Sequence, residues 1–396
     1  MRTTKQVIPT DSELHHKMIS WRHWLHQHPE LCFEEILSSD YIASILESYD
    51  IEIHRGLAKT GIVATVKGTL DGDAIGLRAD IDGLPIQELN KFDHKSRHDG
   101  KMHACGHDGH ATMLLGAAVY LKKHNDFSGT VHFIFQPAEE GDGGAQVMVE
   151  EGLFDLFPCK AVYGMHNWPG LKAGTFAVHD TAVMAAVDTI KIHIEGKGGH
   201  AAMPDQVIDP ILTGAQLITT LQSVVSRNVS PLDTVVLSIT IVEAGDASNI
   251  IPDTMELTGT LRYFDKNVGD LVKQRMQNIV TKTCEAMGAI GQLDIIEGYP
   301  ATINNSEHAD ICASVTTQLV GEDAVKRDLP PSMGAEDFAF LLNTCPGAYI
   351  WIGNGAENGC VAGHGCMLHN THYDFNDEIL PLGTSYWVRL VKTILD

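Results

Sequence analysis

No run of apolar residues in this chain is long enough to cross a bilayer. The longest, MLLGAAVYL from Met113 to Leu121, falls far short of the roughly 18 residues a membrane-spanning helix needs, so no membrane partner is expected. The N-terminus, MRTTKQVIPTDSELHHK, lacks the apolar centre of a secretory signal, and a cytoplasmic protein is expected. Positive charge is scarce: 28 Lys and Arg stand against 51 Asp and Glu, a formal net charge of −23. A nucleic-acid partner is set aside, because proteins that bind a phosphate backbone concentrate Lys and Arg. An anionic substrate stays open, since a few arginines or metal ions reverse the field at one site. The eight cysteines are scattered from Cys32 to Cys366. They lack the density of a disulfide scaffold and read as reduced core thiols. Internal repeats and low-complexity tracts are also missing. The glycines from Gly353 to Gly359 have the wrong spacing for a dinucleotide fingerprint, which removes a Rossmann dehydrogenase.

What is present is globular composition, 44% hydrophobic and 20% charged residues, in a 396-residue chain long enough for two cores. Helical spacing and capping residues predict helices from Asp11-Ser12 to a stop at Pro29, over Ser38 to Ser48, and over Ala111 to Lys123. The short apolar runs GIVATVKG, AIGLRADI and TVHFIFQP alternate with helical segments. That alternation predicts an α/β layer with a mostly parallel central sheet flanked by helices. From about Val187 the pattern changes. DTIKIHIEGKG, a helix opened by Asp209-Pro210, VVLSITIVEAG, TMELTGTLRYF, a helix over Asn267 to Met287, and GQLDIIEGY follow in turn. This is a βαββαβ unit of the ferredoxin-like kind, expected as an inserted lid domain at 184–298 that splits a catalytic domain into 1–183 and 299–396. The α/β style then resumes and ends in a helix over Ser385 to Leu395.

Histidine is the compositional oddity, with 21 residues, and as a frequent metal ligand and proton carrier it directs attention to its positions. The densest cluster is MHACGHDGH, with His103, Cys105, His107 and His110. In an extended chain positions 103, 105 and 107 share a face, so Cys105 and His107 would reach one metal; a buried thiol with helix-capping histidines fits the segment equally well. Glu139 and Glu140 follow an apolar strand and Pro137, where α/β sheets place ligands. Adjacent carboxylates there can divide the work, one holding a metal and the other taking a proton from water, although a solvated acidic turn has the same sequence. His166 in AVYGMHNWPG and His369 in CMLHNTHYDFND also follow apolar strands. Asp80 and Asp82 in LRADIDGLP share a strand face, and one of them, Asp82 before Asp80, is expected to orient a liganding histidine.

Together, MHACGHDGH, FQPAEEG, GMHN, GGHAAMP, SNIIPD with GTLR, MGAEDFAF and LHNTHYDFND resemble the M20 metallopeptidase family, in its aminoacylase and hippurate hydrolase group. The resemblance covers nearly the whole chain, from LHQHPEL to the last helix. It implies two divalent metal ions per subunit, held by Cys105, His107, Glu140, His166 and His369, with Cys105 bridging them. Most of the family bridges with Asp, and this group uses Cys. The resemblance further implies Glu139 as the general base and His200, in a lid often supplied by the partner subunit, as stabiliser of the oxyanion. Asn249 and Arg262 would hold the substrate's free carboxylate, a bidentate task that suits a planar guanidinium, and Glu336 would position substrate or support the site. A thiolate, three imidazoles and a carboxylate suit Zn²⁺ first and Mn²⁺ second, with Co²⁺ or Ni²⁺ able to replace them. A homodimer or higher homo-oligomer through the lid is expected.

The leading expectation is therefore hydrolysis of an N-acyl-L-amino acid, hippurate-like or N-acetylated, to a carboxylate and a free amino acid. A dipeptidase, or a deacetylase for N-acetylcysteine or N-acetyl-diaminopimelate, would use the same residues. A catalytically silent, metal-stabilised binding protein would typically have lost the base or a ligand, whereas Glu139 and all five ligands are present. Cys360, His364, Cys366 and His369 superficially form a small zinc site, but their cramped spacing sets a separate structural zinc aside.

Overall fold

The apolar run at 113–121 lies in the helix His107–Lys123, which is buried on nearly every side. A helix apolar all round belongs in a core, and in this computed structural model, which describes residues 6–355 and 366–396, it does. Among the described residues no helix is long and apolar enough to cross a membrane. The seven cysteines among them are free thiols; Cys360 and His364 of the cysteine and histidine loop lie outside the described residues.

Contacts divide the chain into two units. The first comprises Met1–Val183, Ile303–Pro330 and Asp337–Asp396. Its eight-stranded sheet runs, in spatial order, Glu52–Leu57, Gly61–Lys67, Ser128–Gln136, Leu70–Asp80, Ala161–Lys172, Gly347–Gly355, Phe176–Ala177 and Val325–Lys326. The four strands from Ser128–Gln136 to Gly347–Gly355 are mutually parallel, and their apolar runs are buried as parallel strands require. The helices Glu13–Gln27, His107–Lys123, Ser306–Val320 and Leu380–Leu395 share one apolar core with this sheet. The second unit comprises Met184–Thr302 and Pro331–Glu336. Its sheet is antiparallel, in the order Val235–Glu243, Thr254–Tyr263, Ala186–Glu195 and Ile290–Glu297. The helices Pro210–Arg227 and Lys266–Ala286, capped by Asp209 and Asp265, bury Leu217, Leu221, Val272 and Met276 with Ile190, Ile192 and Ile194 of that sheet.

Several local expectations need correction. The MHACGHDGH segment is not extended through residue 107, because Gly106 adopts a left-handed φ of 96° and the helix begins at His107 rather than Ala111. No side chain fits at 106, where a Cβ would lie 2.2 Å from Asn167 Nδ2 and 2.6 Å from the Tyr373 hydroxyl. Asp82 lies beyond the end of the Leu70–Asp80 strand, so the two aspartates do not share a strand face. His166 lies within the Ala161–Lys172 strand rather than after it. The last helix starts at Leu380, with Pro381 in its first turn, a signal the sequence carried.

One glycine tests the packing that seats the start of the buried helix. A Cβ at Gly109 would meet the buried Phe375 ring at 2.3 Å. Removing a helical glycine gains about 1 kcal/mol of propensity, whereas overpacking a rigid core site costs about 1–3 kcal/mol. Gly109→Ala is therefore expected to lower the urea midpoint, and a midpoint at or above wild type would show that Phe375 yields freely.

Candidate metal centre

The parallel strands present their carboxyl ends along one edge of the sheet, and the chemistry collects there. Cys105 precedes the left-handed turn at Gly106, and His107 opens the buried helix. Glu139 and Glu140 leave the Ser128–Gln136 strand, and His166 projects from Ala161–Lys172. His369, at a left-handed φ of 63°, is tied in by its N–H to the Ala104 carbonyl at 2.8 Å. A strained non-glycine conformation at such a place is one that its surroundings enforce.

These residues converge. Cys105 Sγ is 3.3 Å from His166 Nε2, His369 Nε2 is 3.3 Å from Glu140 Oε1, and His107 Nε2 is 3.9 Å from the same oxygen. Ligand atoms of Cys105, His107 and His166, of Cys105, Glu140 and His369, and of His107, Glu139 and Glu140 form three groups, in each of which they lie within 4.8 Å of one another. All but His369 and Glu140 are buried, and Glu140 is nearly so.

The electrostatics suit cations. Burial, then the Glu140 and Glu139 carboxylates, push the Cys105 thiol well up, so a thiolate there requires positive charge beside it. Burial and the neighbouring His110 hold His166 well below the usual imidazole range, which leaves a neutral ring with a lone pair to give. Burial opposes charge on His107, but Asp80, Asp82 and Glu140 outweigh it and push the ring up to about 10, an attraction a metal ion would take over from the proton. Among the described residues, His107 Nε2 and Glu140 Oε1 are buried without a hydrogen-bond partner. Orphaned donors of this kind facing one another are what a bound divalent ion satisfies.

Residues 76–393 match the profile of peptidase family M20/M25/M40. The chain belongs to that family. It is 39% identical over 389 residues to N-acetylcysteine deacetylase of Bacillus subtilis (strain 168), covering 98% of this chain and 99% of the relative. It is 38% identical, over the same length and shares, to hippurate hydrolase of Campylobacter jejuni. Among crystal structures, a Bacillus subtilis protein described as a dinuclear metal-binding peptidase from the M20 family aligns with a TM-score of 0.85 and 34% identity, covering 97% of this chain and 99% of that one.

Around the donors, this M20 chain builds a shell of fixed partners. Asp82 places Oδ1 3.0 Å from His107 Nδ1 and accepts the Glu140 N–H at 2.9 Å on Oδ2. Asp80 instead meets His110 Nδ1 at 2.6 Å, and Arg78 joins Asp80 to Gln136 and Asp337 in a fully buried network. Asn167, which the sequence reading passed over, donates from its side chain to the Cys105 carbonyl at 2.6 Å and accepts from the Tyr373 hydroxyl at 2.6 Å. Its only sequence signal was its position next to His166.

In the second unit, the short antiparallel pairing of Gly199–His200 with Ile250–Ile251 brings His200 close to Asn249, whose carbonyl accepts the Ala201 N–H at 3.0 Å. Both residues are exposed. Arg262 donates from Nη1 to the Met333 carbonyl at 2.8 Å, and the Glu336 carbonyl accepts from Thr302 Oγ1 at 3.3 Å.

A second buried network was also missed. Arg22, fully buried on the first helix, bonds Asp374 and both carboxylate oxygens of Asp377. His26 sits 2.8 Å from Asp108, the neighbour of His107, and 3.3 Å from Glu88. Burial opposes charge on His26, but Asp108 and the bond to Glu88 outweigh it and raise the ring to about 9; Arg22, His94 and His103 also face it. Because the folded value lies above the ordinary 6.5, this contribution to stability is complete below about pH 6.5 and is lost as pH rises through about 9. Urea unfolding between pH 7 and pH 10 is expected to show a falling midpoint in wild type and a flatter one in His26→Gln; parallel slopes would assign the loss to other groups.

Proposed function

We propose that this chain hydrolyses the amide bond of N-acyl-L-amino acids, hippurate-like or N-acetylated, to a carboxylate and a free amino acid. The observation that carries the reading is the convergence of Cys105, His107, Glu140, His166 and His369, with Glu139 beside them. In this reading those five residues, Cys105 among them as the thiolate donor, would hold two divalent ions, Zn²⁺ first and Mn²⁺ second. When bound, the ions supply Lewis-acid polarisation of the scissile carbonyl and lower the pKa of a bound water. Glu139 takes the proton of the attacking water and passes it to the leaving nitrogen. Asp82 fixes the His107 ring through Nδ1, which leaves Nε2 to face the centre. His200 donates to the developing oxyanion, Asn249 and Arg262 hold the free carboxylate, and Glu336 supports the substrate. The reading also has the protein assemble as a homodimer or larger homo-oligomer through residues 184–298, and work in the cytoplasm.

A second substrate reading has support of its own. Relatives named for N-acetylcysteine and for hippurate match this chain at nearly equal identity, so a small N-acetyl substrate stands beside an aromatic acyl one. A panel of N-acyl amino acids, hippurate and N-acetylcysteine included, assayed after chelation with Zn²⁺ or Mn²⁺ restored, separates the two. Metal-dependent release of free amino acid is expected, and no release from any member of the panel would overturn the hydrolase reading.

Two substitutions test the roles. Glu139→Gln is expected to keep both metals by elemental analysis and to lose roughly 10²–10⁴ in kcat, the usual worth of a general base; an empty site would reassign it as a ligand. His200→Ala is expected to lower kcat by about 10²–10³ with an unchanged urea midpoint, and wild-type rates would remove it from the mechanism.

A further inference from the structure

Glu35 is a charged residue that the proposed chemistry does not use, yet it is 0% exposed. It caps the helix Ile36–Ser48, and among the described residues no Lys, Arg or His pairs with it. Its carboxyl group is spent on neutral donors. Oε2 accepts from Thr60 Oγ1 at 2.7 Å, and Oε1 accepts the Phe33 N–H at 3.0 Å and the Ala138 N–H at 2.9 Å. Burial raises the group to about 7 even against those bonds. An isolated buried carboxyl is costly, and an apolar side chain of the same shape would serve packing better, so its presence calls for a task.

The task is visible in the backbone of the loop. Ala138 holds a left-handed φ of 55°, a conformation an alanine rarely takes unless held. Its N–H is bound by Glu35, and its carbonyl accepts the Gly144 N–H at 2.9 Å. One residue past Glu139, the Glu140 N–H is bound by Asp82 at 2.9 Å. The Pro137–Ala138 and Glu139–Glu140 peptide units are thus anchored to two buried carboxyl groups from distant parts of the chain, and the Ala138–Glu139 unit between them to the Gly144 N–H. We propose that Glu35 is a positioning residue for the catalytic base, holding the Ala138 peptide in its left-handed turn so that Glu139 is presented at the metal centre. The proposal rests on the assignment of Glu139 as base. Such an anchor acts on the chemical step and leaves ground-state binding largely alone, because a displaced base costs rate without removing a substrate contact.

The test compares Glu35→Met, which keeps the length and loses the acceptor, with Glu35→Gln, which keeps an acceptor oxygen for the Ala138 N–H. Glu35→Met is expected to lower kcat roughly 10–100-fold with KM within about twofold, and metal content unchanged. Glu35→Gln is expected to recover most of that loss. Adding Ala138→Gly to Glu35→Met is expected to recover part of it, since glycine adopts the left-handed turn unaided. Hydrogen exchange at the Glu139–Gly141 amides, which needs no substrate, is expected to speed up in Glu35→Met and to return toward wild type in Glu35→Gln. Should the methionine variant not fold, Glu35→Asp, pulled back by one methylene, is read for the same fall in kcat and the same loss of protection. Wild-type kcat together with wild-type exchange in the folded variant would overturn the proposal, as would a rate loss that tracks metal content. Wild-type turnover in the same assay judges the hydrolase reading, and the exchange data judge Glu35 independently of it.

Discussion

The arrangement depends first on one carboxylate, that of Asp82. Fully buried, it meets the His107 ring with one oxygen and the Glu140 backbone with the other, which also accepts from the Cys32 thiol at 3.4 Å. The first sets which ring nitrogen faces the other donors, and the second sets where the Glu139-Glu140 turn begins. A side chain from a strand end thereby registers a helix start against a loop, and neither can shift without breaking a bond in a dry interior. Hydrogen bonds to an ionised group in such surroundings are stronger than those between neutral partners, which is why one residue suffices to couple the two segments.

Negative charge accumulates around this point. Glu140, Glu139 and Asp80 stand close to a thiol whose ionisation they, after burial, oppose. The fixed cations nearby are spoken for: Arg78 by Asp80 and Asp337, and Arg22, farther out, by Asp374 and Asp377. The remaining imbalance is of the sign that bound cations would offset. It also fits a chain whose excess of acidic residues would otherwise argue against an anionic substrate.

The segments that converge were singled out by their joint resemblance to one family, since taken singly Cys105 and His107 also fit a buried thiol with capping histidines, and the Glu139-Glu140 pair a solvated turn. The fold class was legible from the switch between apolar runs and period-two strands at about residue 187. What sequence could not reveal was pairing across distance. Arg22 meets Asp377 across 355 positions and Glu35 meets Ala138 across 103, and nothing local to any of the four announces a partner. The extended reading of residues 103–107 failed for a related reason. Alternation of side chains presumes ordinary backbone angles, which Gly106 departs from, and the room that only a glycine fits there is bounded by Asn167 and Tyr373, which lie far along the chain.

The order of strands carries a consequence for synthesis. Gly347–Gly355 lies between Ala161–Lys172 and Phe176–Ala177, so the middle of the large sheet is completed by a segment made long after both of the strands it pairs with. Until it emerges from the ribosome, the Ala161–Lys172 strand presents an unpaired apolar edge, and the nascent chain must be kept from pairing with its neighbours. A polypeptide stalled before Gly347 is an aggregation hazard, not a weakly active enzyme.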